Sequence, residues 1–236
     1  MFRKTGLTRL FADRSWTRFL ALGVVTLTLW GFLVLTGEVL ENEYHGIDNR
    51  ILLAFRTPED LRIPIGPSWV QSVSLDISAL GSAAVLTLLT LLICGYFLLE
   101  KRLDAVLMIL CASVSGSLLN WFLKSLIGRE RPNVVPYLSE IHNTSYPSGH
   151  SMLSAIIYLT LAVVLGKMVK TRAKRLYILS TAIGLAFFIG LTRVILGVHF
   201  LSDVVAGWTV GIGWATLCWM FSNYVSGSFK DRTTQT

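Results

Sequence analysis

The chain has 236 residues, 53% of them hydrophobic and only 15% charged, a balance that excludes an ordinary soluble domain. Its net charge of +7 would suit a nucleic-acid binder. The basic residues gather at the ends of long uncharged runs, however, which points to contact with anionic lipid headgroups and not with nucleic acid.

Six uncharged runs, 19–37, 79–99, 105–123, 148–166, 176–192 and 204–229, approach the ~20 apolar residues that a helix needs to cross a bilayer. They predict an all-α, polytopic membrane protein. A single domain would occupy 19–229, between a basic cytoplasmic or interfacial lead (1–18) and a cytoplasmic tail (230–236). Fourteen of the 21 basic residues lie in the lead, between runs two and three, between runs four and five, and after run six. By the positive-inside rule both termini are then cytoplasmic. The first run is longer than the h-region of a signal peptide and reads as a retained signal-anchor.

In chain order, Leu7, Leu10, Phe11 and Trp16 make the lead amphipathic, as in an interfacial helix. The acidic outer loop 38–78 carries Ile47, Ile51, Leu52 and Phe55 at helical spacing, which predicts a short helix lying on the outer surface. Pro58, Pro64 and Pro67 interrupt the rest of that loop. Asp76, just before the apolar core of run two, reads as an interfacial residue satisfied by nearby backbone or Ser78. Ser113, Ser115, Gly116, Ser117 and Asn120 on run three, with Gly207 and Gly211 on run six, read as close-packing positions. Cys94, Cys111 and Cys218 all fall inside runs, are odd in number and lack metal-ligand spacing, so they are taken as packing residues. His45 and His142 sit on outer loops as polar surface residues. Asn143-Thr144-Ser145 fits the short glycosylation pattern, which by itself says little. No metal or cofactor is expected.

Three polar clusters stand out between Lys124 and Asp203. They are Lys124 through Arg131-Pro132, then Pro147-Ser148-Gly149-His150, then Thr192-Arg193 with His199 and Asp203. With the topology above, all of them fall at the outer edge of the membrane, delivered by four separate runs. Lys124, Arg131 and Arg193 supply three cations, two with the planar fork that suits phosphate oxygens. Ser148 is placed to N-cap the fourth run, and Gly149 lets backbone N–H groups approach an anion at the helix start. His199 and Asp203, four apart, can share a helix face, so that the carboxylate orients one ring nitrogen and frees the other as nucleophile or base. His150, from another segment, can act as general acid. The residues therefore predict phosphoryl transfer through a phosphohistidine, with fixed cations stabilising the charge.

These clusters resemble the signature of the type 2 phosphatidic acid phosphatase superfamily: Lys-x6-Arg-Pro, Pro-Ser-Gly-His, and Ser-Arg-x5-His-x3-Asp. Thr192, in place of the serine, is the one departure and keeps a hydroxyl. The match covers about residues 76–210. The resemblance implies a metal-independent membrane phosphatase. His199 would be its nucleophile, Asp203 the orienter and His150 the acid. Lys124, Arg131, Ser148, Gly149 and Arg193 would hold the phosphate. It implies an outward-facing site reached sideways from the lipid, in a bacterial inner membrane. The chain is most similar to the broad-specificity bacterial enzymes acting on phosphatidylglycerophosphate, phosphatidic acid and undecaprenyl diphosphate. A lipid A phosphatase or a lipid-to-lipid phosphotransferase would carry the same residues. A vanadate haloperoxidase shares the anion pocket but is soluble, and a transporter would place its polar groups near the midplane.

Overall fold

The computed structural model describes residues 14–41, 43–140 and 144–233. Its elements are, in order, α1 (Arg14–Leu40), α2 (His45–Ala54), β1 (Arg56–Thr57), β2 (Asp60–Pro64), α3 (Trp69–Ala79), α4 (Ala83–Leu99), α5 (Leu103–Ile127), α6 (Gly149–Met168), α7 (Arg172–Ile195) and α8 (Leu201–Thr233). Helices α1, α5, α6, α7 and α8 are each long and apolar enough to cross a bilayer, and α3 with α4 form a sixth passage bent by 45°. The protein is thus a helical, multi-pass membrane protein with α2 as the expected short helix between the first two passages. The amphipathic lead lies largely outside the described residues, as do His142 and Asn143.

The second passage differs from the expected unbroken run. It begins a helix earlier, at Trp69, and breaks at 80–82. There Leu80, Gly81 and Ser82 turn their N–H groups to carbonyls three residues back, and the Ser82 hydroxyl caps Val85 N at 3.3 Å. The Leu80 carbonyl, freed by the break, accepts from Tyr158 Oη at 2.9 Å. A Cβ at Gly81 would collide with Ile189, so the break lets α7 come close. The prolines after α2 do interrupt the helix, but a small hairpin fills the gap, pairing Arg56 with Pro64 and Thr57 with Asp60.

Helix α6 is the axis of the bundle. Its apolar stretch is 61% buried, against 11% for α1, because it touches α5, α7 and α8 at once. Ile157, Leu161 and Val164 meet Ile109 of α5, Leu86 and Phe97 of α4, and Ile189 of α7. Glycines set the α6–α8 approach, since a Cβ on Gly207 would lie 2.7 Å from Ser148 O and one on Gly211 2.7 Å from Met152 O. The expected packing role of these two residues holds. Ser115 accepts from Trp214 Nε1 at 3.0 Å, tying α5 to α8.

At one end, α2 lies over the turn between α7 and α8. Leu52 is fully buried there with Val194, Phe200 and Val204, while Ile47 faces outward. All the polar clusters read from the sequence occur at this end.

Candidate active site

Lys124 sits in the last turn of α5. Its Nζ donates to Thr144 O at 2.5 Å, and Thr144 Oγ1 returns a bond to Lys124 O at 3.3 Å, pinning the following loop to the helix end. Arg131, on that loop, donates through Nη1 to Val198 O at 2.6 Å and lies 3.3 Å from His199 Nε2. Arg193, in the last turn of α7, is 5% exposed. It donates through Nη1 to Ser78 Oγ of α3 at 2.6 Å, while its buried Nε has no acceptor among the described residues. The bent second passage thus brings Ser78 to the site, whereas Asp76 stays exposed on the same helix.

Ser148 occupies the N-cap position of α6 but does not cap it through its side chain. The expectation of a capping serine is corrected: its fully buried hydroxyl accepts from Ser151 Oγ at 3.0 Å, and its backbone N–H is used by Asp203 O at 3.0 Å. Gly149 opens the helix against α5, where a Cβ would lie 3.1 Å from Asn120 Oδ1 and 3.8 Å from Lys124 Cε. His150 follows, packed beside the break at Gly81 and within electrostatic reach of Arg193, His199, Arg131 and Lys124.

His199 precedes α8 instead of starting it, in a turn that Gly197 makes with φ +74°. The i,i+4 pairing survives: His199 Nδ1 is 3.3 Å from Asp203 Oδ2. The arginine at Nε2 can only donate, so Nε2 is the acceptor and Nδ1 carries the proton toward Asp203. Burial outweighs the pull of Asp203 and, with the nearby Arg131 and Arg193, brings the His199 imidazole down to about 4. The neutral form is therefore held through the neutral pH range. Burial likewise lowers the Arg131 guanidinium from its ordinary value and pushes the Tyr146 phenol up to about 12.

Sequence reasoning missed the groups behind Asp203. Arg129 Nη1 lies 2.6 Å from Asp203 Oδ1, and its Nη2 lies 2.9 Å from Asp48 Oδ2 of α2. Ser145 Oγ donates to Asp203 Oδ2 at 2.8 Å, and Phe200 N does so at 3.0 Å. Asp48 also accepts from Ser202 N at 3.1 Å and from the Ser202 hydroxyl. A signal existed: Asp48 falls on the apolar stripe of Ile51, Leu52 and Phe55, where a carboxylate needs a partner.

The structure thus gathers Lys124, Arg131, Arg193, Ser148, Gly149, His150, His199 and Asp203 at one end of the bundle. Three cations surround two histidines, one of which is held in a defined tautomer. Such a group can bind an oxyanion, attack it with a ring nitrogen and protonate a leaving oxygen.

Comparison with known proteins gives a consistent picture. The family described as the PAP2 superfamily matches residues 103–226. Phosphatidylglycerophosphatase B of Bacillus subtilis (strain 168) is 34% identical over 185 residues, 77% of this chain and 86% of that protein. Lipid A 1-phosphatase of Rhizobium etli is 33% identical over 112 residues, 44% of this chain and 43% of that protein. Among solved structures, the transmembrane PAP2-type phosphatidylglycerolphosphate phosphatase from Bacillus subtilis superposes with a TM-score of 0.77 at 30% identity, covering 85% of this chain and 96% of that one.

Proposed function

The chain belongs to the PAP2 superfamily, and from that premise we propose that it hydrolyses the phosphomonoester or diphosphate headgroup of a membrane lipid through a phosphohistidine. The observation that carries this reading is the convergence of Lys124, Arg131 and Arg193 on His150 and the His199–Asp203 pair. Lys124, Arg131 and Arg193, with the Ser148 hydroxyl and the Gly149 N–H, hold the phosphate oxygens. The Nε of Arg193, without an acceptor among the described residues, supplies a buried donor with spare capacity.

His199 Nε2 attacks phosphorus as the P–O bond to the lipid breaks. His150 gives its proton to the departing oxygen, and Asp203 stabilises the charge that develops on the His199 ring. In the second half, neutral His150 takes a proton from water. The resulting hydroxide attacks phosphorus, the N–P bond breaks, and inorganic phosphate leaves. The fixed cations supply the charge stabilisation, so the reaction runs without a metal.

Phosphatidylglycerophosphate, undecaprenyl diphosphate and phosphatidic acid are the substrates in view. Similarity to phosphatidylglycerophosphatase B over most of the chain favours the first. The shorter similarity to a lipid A 1-phosphatase supports a second reading, in which lipid A or transfer to a lipid acceptor takes its place. The protein would lie in a bacterial inner membrane with both termini cytoplasmic and the site on the periplasmic face. The domain limits 19–229, with lead 1–18 and tail 230–236, belong to the same reading.

The test is phosphate release by detergent-purified protein with chelator present, offered the three lipids side by side, for wild type and His199→Ala. Hydrolysis of one lipid by wild type, with His199→Ala dead, supports the proposal. Complete loss in chelator that a divalent ion restores would overturn its metal-free form.

A further inference from the structure

Two buried carboxylates share one guanidinium behind the site. The Arg129, Asp48 and Asp203 side chains are 12%, 2% and 0% exposed, and Arg129 bridges the two acids with its separate nitrogens. Its Nη1 also donates to Ser202 Oγ at 2.7 Å, and its guanidinium carbon lies 4.2 Å from the centre of the Phe200 ring. Asp48, from α2, holds both that guanidinium and the first turn of α8, through Ser202 N and Oγ.

The division of labour at Asp203 is specific. Arg129 takes Oδ1, which leaves Oδ2 to His199 Nδ1, Phe200 N and Ser145 Oγ. The rotation of the carboxylate is then set by a cation on the oxygen that His199 does not use. A planar fork anchored on a second acid fixes that cation, a geometry lysine cannot reproduce.

We propose that Arg129 and Asp48 are positioning residues for the reaction. They lock the orientation and charge of Asp203, so that His199 presents an unprotonated Nε2. The outer helix α2 is thereby part of the catalytic apparatus. This rests on the reading of His199 as nucleophile and Asp203 as its orienter.

The groups facing Asp203 fix the expected sign. His199, Arg129 and Ser145 touch it, Asp48 acts through Arg129, and Lys124, Arg131 and Tyr146 act at longer range. Removing the Arg129 charge leaves two anions behind His199. These favour its protonated form and move the acid limb of the rate profile to higher pH.

The test is steady-state phosphate release across pH, with a thermal melt of each variant in detergent. Wild type and His199→Ala come first. If His199→Ala is active, the underlying reading fails; if it is dead and wild type is active, the Arg129 series decides the present proposal. Arg129→Gln is expected to lose about 100-fold in kcat with KM within about threefold, its acid limb shifted upward. Arg129→Lys should restore the acid limb but only part of kcat. Asp48→Asn, nearly isosteric, should lose about tenfold in kcat with KM unmoved. A folded Arg129→Gln with wild-type kcat and acid limb, or a loss confined to KM, overturns the proposal. Should Arg129→Gln fail to fold, Asp48→Asn is judged by the same criteria and decides alone.

Discussion

The two halves of this site are built on opposite plans. Asp203, fully buried, meets donors on both oxygens: Arg129 on one, and His199, Ser145 and Phe200 N on the other. Lys124 and Arg193 instead donate to neutral oxygens, Thr144 O and Ser78 Oγ, and neither forms an ion pair among the described residues. An acid so saturated cannot turn, which suits the orienting role proposed for it. Cations held by neutral acceptors keep their charge available for an incoming oxyanion, at the cost of desolvation when the site is empty.

That contrast can be broken most severely on the closed side. Asp203→Asn puts an amide N–H where His199 Nδ1–H needs an acceptor, or forces the ring to flip. We expect kcat to fall by about 10⁴-fold with KM little changed, read from steady-state phosphate release. On the open side, Arg193→Gln removes a charge and the spare Nε donor together. The expected loss is about 10²–10³ in kcat/KM, and a phosphate-like inhibitor should weaken in parallel. A KM unchanged by Arg193→Gln with only kcat reduced would place that cation behind the reacting group.

The pH response sharpens the same division. The proposed mechanism needs His199 neutral, and with its imidazole held down to about 4 the acid limb of kcat/KM should lie well below the ordinary value of about 6.5. Stability has a matching sign. Between the native value and that of the unfolded chain, the unfolded state binds more protons, so stability falls as pH drops through that window. Melting in detergent across it measures the effect. The smallest change is expected from Ser78→Ala, which removes one neutral acceptor from Arg193. A roughly fivefold rise in KM, with the acid limb in place, is the expected result.

How much was legible in the sequence depends on the range of the forces involved. The helical runs, the α2 stripe and the three clusters are local patterns, and the structure places Lys124, Arg131, His150, Arg193, His199 and Asp203 together as the spacing implied. The partners behind them are not local. Arg129 and Asp48 are 81 residues apart, and Arg193 and Ser78 are 115 apart, so only packing reveals the pairing. The break at 80–82 was hidden because Leu80-Gly81-Ser82 sits in an otherwise apolar run, and the close approach of Ile189 lies outside that window. Ser148 was placed at the right helix position, but its hydroxyl is taken by Ser151 one turn on. The hairpin at 56–64 escaped notice because Pro58 and Pro64 signal interruption without saying what replaces the helix.

The most direct test of the central claim is to trap the covalent intermediate. Protein in detergent would be mixed with a lipid substrate radiolabelled in its phosphate, quenched in alkali within milliseconds, and examined for label on the chain. Wild type should carry an alkali-stable, acid-labile label that maps to the peptide holding His199, and His199→Ala should carry none. Label on another residue, or turnover by His199→Ala without label, would contradict the account.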